Sequence, residues 1–148
     1  MSDLRELYQE VILDHNRRPR NFRALEDATH SAAGHNPLCG DNVTVSLILT
    51  DGVVTDIAFQ GSGCAISTAS ASLLTEAVKG KTEEEIQAIF GAFQELVTGR
   101  DDNPDIEALG KLAVFEGVRE FPMRVKCATL AWHTVRAALD NKEAVTTE

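Results

Sequence analysis

No C-x-x-C pair occurs in this chain, no apolar run approaches a membrane span, and basic side chains are outnumbered by acidic ones, 14 to 23. The first absence removes the tight spacing by which many zinc sites announce themselves. The second excludes a membrane-spanning helix. The third leaves a net charge of −9, which argues against nucleic acid, whose binders carry basic faces. Cysteines number only 3, an odd count, and no apolar leader stretch stands ahead of them. A disulfide framework is therefore not expected, and a reducing, cytoplasmic setting is. Repeats, low-complexity tracts and linkers are also missing. A length of 148 residues suffices for one core without staples, so a single domain spanning 1–148 is expected, in which a metal would serve chemistry more than folding.

What is present divides by period. Leu4, Leu7, Tyr8, Val11 and Ile12 recur at helical spacing behind an Asp3/Glu6 capping pair, which predicts an amphipathic helix ending before Pro19. From Asn42 to Leu49 the period becomes two, with Val43, Val45, Leu47 and Leu49 on one face of a half-buried strand. A second strand, Val53 to Gln60, is expected to place Val53, Ile57 and Phe59 on that same face. A two-residue Asp51-Gly52 turn would set the two stripes on opposite faces. The spacing therefore predicts a three-residue loop, Thr50-Asp51-Gly52, pairing Leu49 with Val53, Val45 with Ile57 and Val43 with Phe59. Ala28 to Ala33 offers a third antiparallel strand. Helical patterns follow: Ala65 to Lys79 stopping at Gly80; a Thr82/Glu85 capping box opening a helix with Ile86, Ile89, Phe90, Phe93 and Val97 inward; a helix from Asn103-Pro104 burying Ile106, Leu109 and Leu112; and a last helix from Pro122 packing Val125, Thr129, Trp132 and Leu139 on the sheet. Strands first and helices after read as α+β, a small antiparallel sheet of about three strands with several helices. Two charged stretches stand out. Lys81 to Glu107 is strongly acidic, the mark of a solvated helical face, and His15 to Arg20 is a short basic loop that suits either an acidic protein partner or an ordinary exposed turn.

Each cysteine falls at a junction: Cys39, in Leu38-Cys39-Gly40-Asp41, before the first long strand; Cys64, in Gly61-Ser62-Gly63-Cys64, at a helix start; Cys127, in Arg124-Val125-Lys126-Cys127, in the opening turns of the last helix. Three thiolates and the Asp41 carboxylate make a complete tetrahedral set for a borderline-soft ion such as zinc. Three separate buried thiols, each acting as a small hydrophobe, is the plain alternative. Helix starts carry unpaired N–H groups and positive dipole, which favour a thiolate, and Arg124 and Lys126 add charge beside Cys127. Gly40, Gly61 and Gly63 allow the backbone to aim these side chains.

The three cysteine motifs, in this order and from Leu4 to Leu139, resemble those of the U-type iron-sulfur cluster assembly family, which includes IscU scaffolds, the amino-terminal domain of NifU and SufU proteins. Scaffolds of the IscU type carry a histidine just before the third cysteine, where this chain has Lys126, and a shorter segment between the second and third cysteines. Both departures resemble the SufU branch. That resemblance implies zinc on Cys39, Asp41, Cys64 and Cys127, Cys39 as sulfur acceptor, a role for Arg124, a SufS-type cysteine desulfurase as donor, and downstream SUF assembly proteins as recipients. Iron or an iron-sulfur cluster on the same thiolates is the alternative cargo, and a zinc-stabilised adaptor without transfer is a third reading. Lys126 weighs against the scaffold, since an ammonium is no ligand. His15, His30 and His35 are expected in polar loops and His133 on the last helix, none as a ligand.

Overall fold

In the computed structural model, residues 2–99 and 109–146 are described, the side chains of residues 2–5 excepted. Helix α1 (Ser2–Arg17) turns Tyr8, Val11 and Ile12 to the core, and His15, 2% exposed, completes the stripe where Leu7, at 54%, points outward. The stripe thus runs one turn later than expected, with a buried imidazole in place of a leucine. Asp3 and Leu4 lie outside the described side chains. His15 drops out of the basic loop, in which Arg20 is tied to Asp14 at 2.6 Å.

The sheet has four strands in the order β3-β2-β1-β4. Strand β1 (His30–Asn36) runs antiparallel to β2 (Asp41–Thr50), and β2 antiparallel to β3 (Val53–Ser62). The expected third strand is there, displaced toward Asn36. A fourth, β4 (Ala144–Thr146), joins β1 in parallel at the sheet edge, beyond what the pattern of the chain's end suggested. Strand β1 has no β-branched residue. It alternates through buried Ala32, Gly34 and Asn36, and a Cβ at Gly34 would collide with Thr134 Oγ1, so the strand's small residues admit the last helix onto the sheet.

The hairpin corrects the sequence reading. Asp51 and Gly52 form the two-residue turn, at φ 53° and 80°, with Thr50 opposite Val53 and Leu49 opposite Val54. Both central residues in the left-handed region match the strand twist, as in a type I′ turn. The parity problem is solved inside the strand: the register shifts between Ile48 and Leu49, so that Leu47 meets Ile57, Val45 meets Phe59 and Val43 meets Gly61. One extra residue in β3, Thr55, forms the bulge. Val54, 0% exposed, therefore joins Ile57 and Phe59 on the core face in place of Val53.

Helix α2 (Ala65–Val78) is followed by α3 (Glu83–Thr98), which opens with the complete Thr82/Glu85 capping box. Its stripe of Ile86, Phe90, Phe93 and Val97 is buried, joined by Leu96, while Glu84, Glu85 and Glu95 face solvent. Asn103, Pro104 and Ile106 lie outside the described residues, as does the acidic stretch there. Leu109 and Leu112 are buried, and a 3-10 helix (Gly110–Glu120) leads to α4 (Pro122–Leu139). Trp132 packs against α3, stacking on Phe90 and Phe93 at 5.6 and 5.4 Å between ring centroids. Removing a ring packed in this way costs about 3–5 kcal/mol. No described helix is long and apolar enough to cross a membrane. The β1–β2 loop, the end of β3 with the start of α2, and the opening turns of α4 meet at one end of the sheet.

Candidate metal centre

Cys39 sits exposed in the β1–β2 loop. The Asn36 carbonyl accepts hydrogen bonds from the Cys39 and Gly40 N–H groups at 3.3 and 2.9 Å, and Gly40, at φ 71°, turns the chain into β2. Asp41 opens that strand and is 0% exposed, a burial that a carboxylate tolerates only with partners. Its Oδ1 accepts from the Cys64 N–H at 2.9 Å, and its Oδ2 lies 3.8 Å from Cys64 Sγ. Cys64 caps α2, its sulfur accepting from the Ser67 N–H at 3.4 Å. A Cβ on Gly63 would stand 2.5 Å from Asp41 Oδ1, so only glycine leaves room for the carboxylate. Cys127, in the second turn of α4, is 2% exposed with Sγ 3.4 Å from Cys39 Sγ.

The donor atoms of Cys39, Asp41 and Cys127 all lie within 4.8 Å of one another, and Cys64 joins them through Asp41. Donors in a tetrahedral zinc-thiolate site are about 3.8 Å apart, from bonds of about 2.3 Å. The separations of 3.4 and 3.8 Å suit such an ion, with the Cys64 sulfur standing outside the compact group of Cys39, Asp41 and Cys127. Burial, reinforced by Asp41, Cys39 and Cys64, holds the Cys127 thiol well above the ordinary thiol range. That reverses the expectation that the helix start and Arg124 would lower it: the residue is shut from water beside Asp41 and the two other cysteines. A bound cation inverts this balance, because it stabilises every thiolate it touches.

Arg124 is exposed on the first turn of α4, its guanidinium 5.1 Å over the Phe121 ring, and among the described residues it forms no ion pair with Asp41. A groove of about 540 Å³ runs beside the site, lined by Tyr8, Ile12, Ile66, Val118, Phe121 and Arg124. The histidines stand apart from the thiols but not in loops. His15 is buried on α1 against Ser72 Oγ at 2.7 Å, His30 and His35 belong to β1, and His133 packs edge-on against Phe90. Asn36 escaped the sequence reading altogether, since nothing in a strand of small and polar residues marks its side chain as buried.

A buried carboxylate and three thiols thus gather at one end of an α+β sheet, donors of the kind a thiophilic metal takes. The chain belongs to the NifU-like N-terminal domain family, which matches residues 7–128. It is 41% identical over 139 residues to the iron-sulfur cluster assembly scaffold protein IscU of Streptococcus pyogenes serotype M1, covering 94% of this chain and 86% of that one. It is 37% identical over 142 residues to the zinc-dependent sulfurtransferase SufU of Bacillus subtilis, covering 96% and 95%. A solved structure from Fervidobacterium islandicum AW-1, described as an iron-sulfur cluster assembly scaffold for the SUF system, superposes with a TM-score of 0.82 at 34% identity, covering 88% and 94%.

Proposed function

We propose that this protein accepts sulfur for iron-sulfur cluster assembly, with zinc held by Cys39, Asp41, Cys64 and Cys127 and with Cys39 as the acceptor. The observation that carries the reading is the asymmetry of the thiols. Cys127 is buried in a helix; Cys39 and Cys64 are both exposed, but Cys64 is pinned as a helix cap whereas Cys39 lies on a short loop. In the transfer, the Cys39 thiolate attacks the outer sulfur of a persulfide on a cysteine desulfurase. A new S–S bond forms on Cys39, the donor's S–S bond breaks, and the donor cysteine leaves as thiolate. When bound, zinc supplies the positive charge that keeps these thiols deprotonated near neutral pH. Asp41 organises the site by holding the Cys64 backbone, and Arg124 sets a fixed positive charge at the mouth, where an anionic persulfide arrives. The groove beside Arg124, where Tyr8, Ile12, Ile66 and Phe121 stand among charged Glu116, Arg119 and Glu120, fits docking of a SufS-type desulfurase, and SUF proteins downstream receive the sulfur.

Incubation with a cysteine desulfurase and cysteine, followed by intact and peptide mass spectrometry, tests this. One added sulfur on Cys39, abolished in Cys39→Ser, is expected, because a serine hydroxyl is not ionised at neutral pH. The similarity to IscU scaffolds favours a second reading, in which the same thiolates hold an iron-sulfur cluster. A lasting cluster chromophore on the zinc-free protein, with no stimulation of the desulfurase by the zinc form, would establish that reading instead. Zinc-dependent folding with neither activity would leave an adaptor.

A further inference from the structure

We propose that Asn36 is the positioning residue of the metal centre, a buried amide donor that anchors the Cys127 sulfur and leaves Cys39 the freer thiolate. This rests on the metal-holding role of the site and names what differentiates its thiols. Asn36 is 0% exposed at the end of β1, with Nδ2 3.7 Å from Cys127 Sγ. Its backbone carbonyl holds the loop that carries Cys39, and in the ladder it stands opposite Asp41. One residue thus touches the supports of three candidate ligands.

The other half of the amide supplies the independent observation. Asn36 Oδ1 is buried without a hydrogen-bond partner among the described residues. An orphaned buried carbonyl opposes folding, and an apolar side chain of similar volume would remove it. The amide group faces a sulfur that, as a thiolate, can only accept, so the NH₂ end is the half that serves the site. An N–H···S bond withdraws charge from a coordinated thiolate and fixes the direction of its lone pairs, as groups behind metal ligands commonly do. Among the described residues, Cys39 Sγ receives no such donor from an amide or backbone N–H. The Cys39 sulfur meets the Cys127 sulfur at 3.4 Å. Of the two neighbouring sulfurs, Asn36 therefore ties one in place and leaves the other able to swing outward.

The test compares Asn36→Leu with the unaltered protein by chelator competition for zinc, by the thiolate-to-cobalt absorption of the cobalt(II) form, and by thermal unfolding of the metal-free chain. Zinc affinity is expected to fall about 10–100-fold and the cobalt band to shift, while the metal-free midpoint stays or rises because the orphan is gone. A merely structural asparagine would do the reverse, lowering the metal-free midpoint. The loss is also expected to disappear when Asn36→Leu is added to Cys127→Ser, since coupled groups are non-additive. Unchanged zinc affinity, or an equal loss in both backgrounds, overturns the role of Asn36 while the metal centre stands. An unaltered protein that binds neither zinc nor cobalt overturns both. Should Asn36→Leu fail to fold, Asn36→Ala carries the zinc-affinity and cobalt comparisons, alone and in the Cys127→Ser background.

Discussion

Replacing Gly63 by alanine puts one methyl group where the site has no room for it. The added Cβ would lie 2.5 Å from Asp41 Oδ1, against at least 3.4 Å for ordinary contact, so the carboxylate must retreat by about 0.9 Å. It has nowhere free to go, being 0% exposed, and its 2.9 Å bond from the Cys64 N–H is lost in the move. A hydrogen bond to a charged group contributes about 1.5–3 kcal/mol. Gly63 is not at positive φ, so alanine also restrains the unfolded chain and returns about 0.4–1 kcal/mol. The net loss is about 1–2 kcal/mol in the metal-free protein, or about 2–8 °C in Tm at this chain size. Zinc affinity falls as well, because coordination distances tolerate only about 0.2 Å. Gly91→Ala is the control. It lies within α3 with nothing within 4 Å of its added Cβ, so the same substitution there stabilises by about 0.5–1 kcal/mol. Urea unfolding and chelator competition on both variants decide the matter. A Gly63→Ala protein with unaltered Tm and zinc affinity would refute the placement of Asp41 against that backbone.

Asp41→Ala leaves three thiolates and an open position, so zinc is expected to bind more weakly and to admit water, while Cys39 remains intact; unchanged zinc content by metal analysis removes Asp41 from the site. In the metal-free protein, mild oxidation is expected to link Cys39 to Cys127, whose sulfurs are 3.4 Å apart, and zinc to protect against it; peptide mapping that finds Cys64 in the dominant bridge contradicts the geometry. Burial holds the His15 imidazole below its ordinary range, so below the unfolded pKa of about 6.5 the unfolded chain binds the extra proton. Stability contributed by neutral His15 is thus present above that pH and is lost as pH falls through it. Tm measured from pH 8 to pH 5.5 should drop less steeply in His15→Gln, and parallel profiles would show that His15 does not carry the effect.

Local signals in the sequence accounted for the capping box at Thr82 and Glu85, the buried stripe of α3 and the alternation of β2, since each depends on residues within a turn or two of one another. The cysteine motifs, through their resemblance to a family, marked the residues that meet at one end of the sheet. Other features belong to the tertiary structure alone. The bulge at Thr55 arises because the turn at Asp51-Gly52 and the two apolar stripes make conflicting demands, which only an extra residue in the ladder reconciles. Strand β1 forms from Gly34 and its small neighbours because α4 lies against them, and β4 exists only as an addition to β1. The high proton affinity of Cys127 follows from burial among groups distant in sequence. Asn36 belongs with these, because its amide reaches Cys127 across 91 positions. Periodicity and capping are written in neighbouring residues. Which side chain is shut from water, and beside which charge, depends on how distant segments pack.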